Sequence, residues 1–589
     1  MAKTADENHG SAPLARARRG AGGEGLSPGD PYFQSRGVGG EGLTPVPPTM
    51  SAMPYDPESD PEWWRRAVIY QIYPRSFRDA NGDGIGDLEG VISRLDYLND
   101  GTENSLGVDA IWFSPTFPSP MKDFGYDVSD YCGVHPDFGD MAAMDRLIAE
   151  CHKRGIRVLL DWVPNHSSDQ HPWFIESRSS RTSAKRDWYF WRDLGEDGAA
   201  PNNWRSIFGG PAWQFDDATA QNYLHSFLIE QPDLNWRNPD VVAAMHDTLR
   251  FWMSRGVDGF RVDVLGMIVK HPDLLDNPPN PDWKHGDRDA NRVLRTNCQN
   301  LPEVYDAVAE IRKVLDEYPG RMAVGEVFGR PDQLARYYGT ASQPGLHLAF
   351  NFHFIGQDGE YAPWDADLML KIVAGYEAAL PAGAQPCYAF GNHDRIRFIS
   401  RHHGDGMGHL RGRSAALLLL GLRSTPFLYY GEEIGMEDVD VPEEQLQDPA
   451  RFLWEGRDPE RTPMQWDETT GRGFTTGHPW LPFGAAGLSV ATQSGDDASL
   501  LALYRRAIWT RKRTPALHSG SMGDYAAVDG VFSFVRESEG ERIMVAVNTV
   551  PGSRTLSVAG DVLVATGPRL GPVDEVELEP LGAAWVRLR

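Results

Sequence analysis

Three carboxylates in this sequence stand at or just past the ends of short apolar runs: Asp263 in GFRVDV, Glu326 in MAVGEV and Asp394 in AFGNHD. Carboxylates in such places are costly to desolvate unless something pairs with them or uses them. A structural ion pair accounts for any one of them taken alone, but three from separate runs aimed at one mouth call for a chemical role. Cleaving a bond between sugars needs one carboxyl held protonated to donate to the leaving oxygen. It needs a second one ionised, to attack the sugar or to activate water. Arg261, two residues before Asp263, falls on the same face of a strand and favours the ionised aspartate, as a nucleophile requires. Glu326 has no such adjacent cation, and its apolar surroundings are expected to raise its pKa toward that of a general acid.

Elements that could hold these residues recur along the chain. Eight short apolar runs read as buried parallel strands: AVIYQIY, VDAIWFSP, IRVLLDWV, VDGFRVDV, RMAVGEV, LHLAFNF, PCYAFGN and TPFLYYGEE. Amphipathic stretches such as MAAMDRLIAECHKRG and PDVVAAMHDTLRFWMSRG lie between them, each closed by a glycine. Eight strands alternating with helices predict a (β/α)8 barrel, whose active sites form at the C-terminal ends of the strands. The charged clusters stand at those ends: Asp161 to His166, Arg261 with Asp263, Glu326, and His393 with Asp394.

At 589 residues and 41% apolar content the chain can bury a large core and is expected to form more than one domain. Residues 1–57 are a Gly/Pro/Ala/Arg-rich tail in which GGEGLSP recurs as GGEGLTP, expected to be disordered. The barrel should occupy 58–166 and 231–514, with a tryptophan-rich subdomain inserted at 167–230 and a second insertion at about 436–485 after the eighth strand. Short alternating runs from 515 to 589 predict a C-terminal antiparallel β domain. A net charge of −26 argues against nucleic acid and anionic membrane surfaces as partners and fits a small neutral substrate. Four scattered cysteines without CxxC spacing indicate neither a disulfide framework nor a zinc site, and no signal peptide or membrane span is evident. A cytoplasmic location is the expectation.

DWVPNH, GFRVDVLGM, GEVFG and FGNHD, in this order and spacing, resemble the four signature regions of the α-amylase superfamily of retaining glycosidases, glycoside hydrolase family 13. QPDLN and RTPMQWD are similar to its oligosaccharide-hydrolysing branch of α-glucosidases and oligo-1,6-glucosidases. The resemblance runs from about residue 60 to the C-terminus and implies a catalytic barrel with a B subdomain and a C-terminal β-sandwich. It implies Asp263 as nucleophile, Glu326 as acid/base and Asp394 as the carboxylate that fixes ring hydroxyls. It further implies that Tyr126 stacks on the glucose, that His166, Arg261 and His393 bond its hydroxyls, and that Phe208 lines the wall. Asp127 and Arg457, with Arg461 as a rival, would bond the terminal hydroxyls and close the pocket, so that attack comes from the chain end. Val264, after the nucleophile, hints at α-1,6 bonds in this branch.

DANGDGIGD, after the first strand, has the spacing of a hard-cation loop: Asp79, Asn81, Asp83, the carbonyl of Ile85 and Asp87. Position twelve is Gly90 rather than glutamate, so it is no EF-hand, and the resemblance implies one structural Ca²⁺ that braces the fold. The expected activity is an exo-acting α-glucosidase on short α-glucosides. The alternatives are a glucosyl transferase or isomerase of the trehalose synthase or sucrose isomerase kind, and a non-catalytic barrel like the amino-acid transporter heavy chains.

Overall fold

The computed structural model describes residues 56, 59–195, 198–356, 361–449 and 456–589. The expected tail at 1–57 lies outside the described residues, apart from residue 56. Each of the eight apolar runs contains one parallel strand: Ile69–Ile72, Ala110–Phe113, Arg157–Trp162, Gly259–Val262, Met322–Gly325, Leu348–Asn351, Cys387–Ala389 and Thr425–Tyr429. They close into a barrel in chain order, the first pairing with the eighth through Ile69 opposite Phe427.

The two faces of each strand go to different cores, as a period of two requires. Ile69, Trp112, Leu159, Val324, Phe350 and Phe427 pack together in one cluster inside the barrel. Tyr70, Ile111, Val158, Leu160, Phe260 and Val262 pack outward against the helices. Because Phe260 and Val262 face outward, Arg261 faces inward, at the level of its register partner Asp161. The next inward position of that strand is Asp263.

The helices between the strands have local causes. Met141–Lys153 begins where the Asp140 side chain accepts from the Ala143 N–H, and Pro239–Ser254 begins with Asn238 accepting from Asp240. Each ends two residues before a left-handed glycine, Gly155 at φ +68° and Gly256 at φ +102°.

Within 167–230 a three-stranded antiparallel sheet forms from Trp191–Arg192, Gln221–Leu224 and Trp213–Asp216. Its cluster of Phe190, Trp204, Trp213 and Leu224 takes in Leu274 and Cys298 from the loop that follows the fourth barrel strand. That loop is therefore fastened to the inserted segment. At the C-terminus six antiparallel strands form one sheet, and Arg554–Leu556 pairs with Val576–Leu578 in a second. Trp585 of the six-stranded sheet donates to the Leu417 carbonyl of helix Gly408–Gly421 at 3.0 Å, tying this domain to the barrel. Among the described residues no helix is long and apolar enough to cross a membrane, and all four cysteines are free thiols.

Candidate active site

A cavity of about 270 Å³ opens at the C-terminal ends of the barrel strands, and Asp263, Glu326 and Asp394 all line it. The three carboxylates meet through arginines. Arg261, 1% exposed, gives Nη1 to Asp263 at 2.6 Å and to Asp161 at 2.8 Å, and Nη2 to Glu326 at 2.7 Å. The reading of Glu326 as lacking a neighbouring cation is therefore corrected. The cation comes from the adjacent strand, 65 positions earlier than Glu326 in the chain, where sequence adjacency cannot show it. A single guanidinium holding one carboxylate on each Nη brings the pair to one side of the cavity, and double displacement works with two neighbouring carboxyls. The backbone N–H of Val264 also donates to Glu326 Oε2, at 3.0 Å. Val264 adopts φ +35°, a left-handed conformation that a β-branched residue rarely takes.

The electrostatics follow from crowding. Burial pushes the Asp263 pKa well up; Arg261 opposes this, and Glu326, Asp161 and Asp394 add to it. Asp161, fully enclosed, is pushed to about 6 by burial in spite of Arg261. The expectation that Arg261 keeps Asp263 ionised is corrected: its charge acts in that direction, but burial is the larger cause and the neighbouring carboxylates add to it. Asp394 moves the other way. Burial would raise it, but His393, Arg457, Arg461 and Arg261 hold it below the usual carboxylate range. Its Oδ1 accepts from Arg457 Nη1 at 3.1 Å and Arg461 Nη2 at 3.0 Å.

Tyr126 lines the cavity, with its hydroxyl 2.5 Å from His393 Nε2 and 3.0 Å from Asp161 Oδ2, and its ring stacked on His393 at 5.4 Å. Burial pushes the His393 pKa well down, against the pull of Asp394. Gln71 Nε2 lies 2.7 Å from its Nδ1, so with Gln71 as donor the imidazole proton sits on Nε2. His393 and Arg261 lie behind the cavity wall and are nearly inaccessible, whereas His166, Phe208 and Val264 line it. His166 receives an amide contact from Gln231 at 3.1 Å and is pushed down to about 4 by burial.

Asp127 is not at the cavity. It is 0% exposed, and its carboxylate accepts from the Ser119 hydroxyl and from the N–H groups of Lys122 and Asp123, at 2.8 to 3.0 Å. The residue that reaches the pocket is Asp123, 2.6 Å from Arg457 Nη2. Two aspartates flank Tyr126 within five residues, and loop geometry, which spacing does not encode, decides which one turns inward. Arg457 lines the cavity and is clamped by Asp123, Asp394 and Asp448. Arg461 is 1% exposed and donates to the His393 carbonyl. Asp448 and the cavity residues Arg288, Arg295 and Arg395 escaped sequence reasoning because they come from loops without periodicity, and Gln71 because it is a lone amide on the inward face of the first strand.

The cavity thus joins the carboxylate cluster to an aromatic platform and a closed, arginine-clamped end. The α-amylase catalytic-domain model matches residues 71–520. The chain belongs to the α-amylase family. Among curated α-amylase relatives, a probable α-glucosidase of Rhizobium meliloti is 43% identical over 506 residues, covering 83% of this chain and 90% of that protein. An oligo-1,6-glucosidase of Heyndrickxia coagulans is 39% identical, covering 83% and 92%. Solved family structures include an α-glucosyl transfer enzyme at TM-score 0.82 and 39% identity, with 90% of this chain and 99% of that one covered. The trehalulose synthase of Pseudomonas mesoacidophila matches at TM-score 0.79 and 34% identity, with 90% and 99% covered. The α-amylase membership makes the protein a glycoside hydrolase by family.

The DANGDGIGD loop lies apart from the cavity. Asp79 Oδ1 accepts from the N–H groups of Asn81 and Gly82, and Oδ2 from Gly84 and the Thr475 hydroxyl, at 2.5 to 2.9 Å. Asn81 and Asp83 accept from the N–H two residues on, each at 2.8 Å, and Asp87 caps the next helix through the Gly90 N–H. Among the described residues no group of three or more His, Cys, Asp and Glu side chains is arranged to hold a metal ion.

Proposed function

We propose that the protein is an exo-acting, retaining α-glucosidase that releases terminal α-linked glucose from short α-glucosides. The observation that carries this reading is the Arg261 fork, which sets Asp263 and Glu326 side by side on one cavity wall. Asp263 attacks the anomeric carbon while Glu326 protonates the leaving oxygen. Glu326 then takes a proton from water as the water displaces Asp263, so the configuration is retained. Asp394, held ionised by two arginines, bonds ring hydroxyls and opposes the positive charge that grows on the ring. Tyr126 forms the platform beneath the sugar. The Asp123–Arg457 pair bonds the terminal hydroxyls and blocks passage of a longer chain, which supports attack from the chain end.

The test is hydrolysis of 4-nitrophenyl α-glucoside followed by NMR, with α-glucose expected as the first product. β-Glucose, or cleavage inside longer chains, overturns the proposal. Rates on maltose, isomaltose, sucrose and trehalose set the linkage, and Val264 supports isomaltose. A second reading, glucosyl transfer to a sugar, is supported by Asn291 and Gln299, which give the cavity neutral polar side chains for an acceptor. Trehalose or a new disaccharide formed from maltose in place of free glucose would favour it.

One structural Ca²⁺ at Asp79, Asn81, Asp83, the Ile85 carbonyl and Asp87 is part of the same proposal, supported by an all-oxygen donor set at alternate positions. A reducing, cytoplasmic location suits four unpaired cysteines.

A further inference from the structure

The turn that carries Asp123 to the cavity is strained. Between residues 121 and 125 three backbone positions are left-handed: Met121 at φ +60°, Phe124 at φ +46° and Gly125 at φ +105°. Glycine takes that conformation freely, but a bulky side chain keeps it only where its surroundings over-determine it. Asp123 directly precedes the strained phenylalanine, so the aim of its carboxylate at Arg457 Nη2, 2.6 Å away, depends on that backbone being held.

The Phe124 ring is anchored on the segment that follows the eighth strand. It packs against Trp480 with centroids 5.6 Å apart, and the Arg75 guanidinium lies over both rings, 5.7 Å from Phe124 and 5.4 Å from Trp480. Arg75 is itself fixed by Asp137 at 2.8 Å. Trp480 is tied down by its side chain and its backbone. Its Nε1 donates to Ser76 Oγ at 3.0 Å, its backbone N–H donates to the Gly84 carbonyl at 3.1 Å, and its ring stacks on Tyr73 at 6.2 Å. Its carbonyl accepts from Gln447 Nε2 at 2.9 Å, one residue before the Asp448 that grips Arg457. Trp480 is not among the residues that line the cavity, yet it bears on the neighbours of two aspartates that clamp Arg457.

We infer that Trp480 is a positioning residue for the closed end of the pocket: with Arg75 it holds the Phe124 ring, so that the strained turn presents Asp123 to Arg457. The inference rests on the α-glucosidase reading, in which the Asp123–Arg457 pair bonds the terminal hydroxyls. A turn released from this clamp relaxes its left-handed backbone and carries Asp123 away from Arg457. Sugar binding then weakens, while Asp263 and Glu326, held by Arg261 and not by this turn, keep their chemistry.

Steady-state kinetics on 4-nitrophenyl α-glucoside test it through the split between KM and kcat. Trp480→Leu should raise KM, and the inhibition constant of glucose, by about fivefold or more, with kcat within about twofold of the wild type. Trp480→Phe keeps an aromatic face for Phe124 and should bring KM back to within about twofold. Phe124→Leu removes the same contact from the other side and should repeat the rise in KM, so the test stands even if Trp480→Leu does not fold. A cycle with Asp123→Asn reads the route: either leucine change added to that variant should raise KM by less than about twofold further. A lower kcat or less active protein at unchanged KM, in both leucine variants, makes Trp480 a packing residue and overturns the inference. Rises in KM that multiply in the double variants overturn the route through Asp123. Inactivity of the wild type on every α-glucoside instead overturns the reading on which the inference rests.

Discussion

The loop at 79–87 and the strand-tip cluster around Arg261 both gather carboxylates, buried throughout the cluster but exposed at Asp83 of the loop, and satisfy them by different means. In the loop, Asp79, Asn81 and Asp83 accept from N–H groups two to five residues further on. In the cluster, Asp161, Asp263 and Glu326 depend on one guanidinium carried by the fourth strand. The loop oxygens accept from backbone dipoles close by in the chain, which carry no net charge, and the cluster is met by a charge that only the closed barrel delivers. The first arrangement can form locally; the second exists only once the strands have closed. The two regions still touch through packing: Trp480 donates its backbone N–H to the Gly84 carbonyl at 3.1 Å and stacks on Tyr73 at 6.2 Å, and Tyr73 stacks on His393 at 6.1 Å.

The sharpest way to break the contrast is Asp263→Asn, which should lower kcat by about 10³-fold or more with folding intact, because the nucleophile is removed while its volume stays. Retained turnover on 4-nitrophenyl α-glucoside would show that the cluster is structural after all. Next, Arg261→Met strands three buried carboxyls without their cation and should destabilise the fold by about 3–5 kcal/mol, measured by denaturant unfolding. A loss no larger than that of an exposed arginine would mean that the cluster is hydrated.

The paired variants Asp123→Asn and Asp127→Asn separate pocket from scaffold. The first should raise KM about tenfold or more by loosening Arg457. The second sets an amide against the N–H groups of Lys122 and Asp123 and should cost about 1–3 kcal/mol of stability with KM near that of the wild type. Equal KM effects would return Asp127 to the pocket.

Acid response also divides the regions. Asp161 is held at about 6 against an ordinary 3.8, so the folded form binds its proton more tightly than the unfolded chain. Its stabilising contribution is therefore full below about pH 4 and is lost as the pH rises through about 6. Unfolding free energies across that window should fall more steeply for the wild type than for Asp161→Asn, and parallel curves would refute the shift. The smallest effect is expected at the loop: chelation should lower the melting temperature by a few degrees while turnover at 25 °C stays constant. Lost turnover with an unchanged melting temperature would make the loop part of the catalytic machinery.

The sequence alone determined the barrel, because apolar runs of strand length alternating with glycine-closed amphipathic helices have one economical closure, and strand parity sends Arg261 and Asp263 to one face. It determined which carboxylates stand at strand ends, and the spacing of the loop. Only the tertiary structure decided who neutralises whom. Arg261 reaches Glu326 across a strand boundary, Asp123 rather than Asp127 turns inward, and Asp448 clamps Arg457. The physical reason is range: backbone periodicity and capping act over a few residues and can be read along the chain. The field at a buried carboxylate is instead set by whichever charges the fold brings within about 4–6 Å, however far away in sequence they begin.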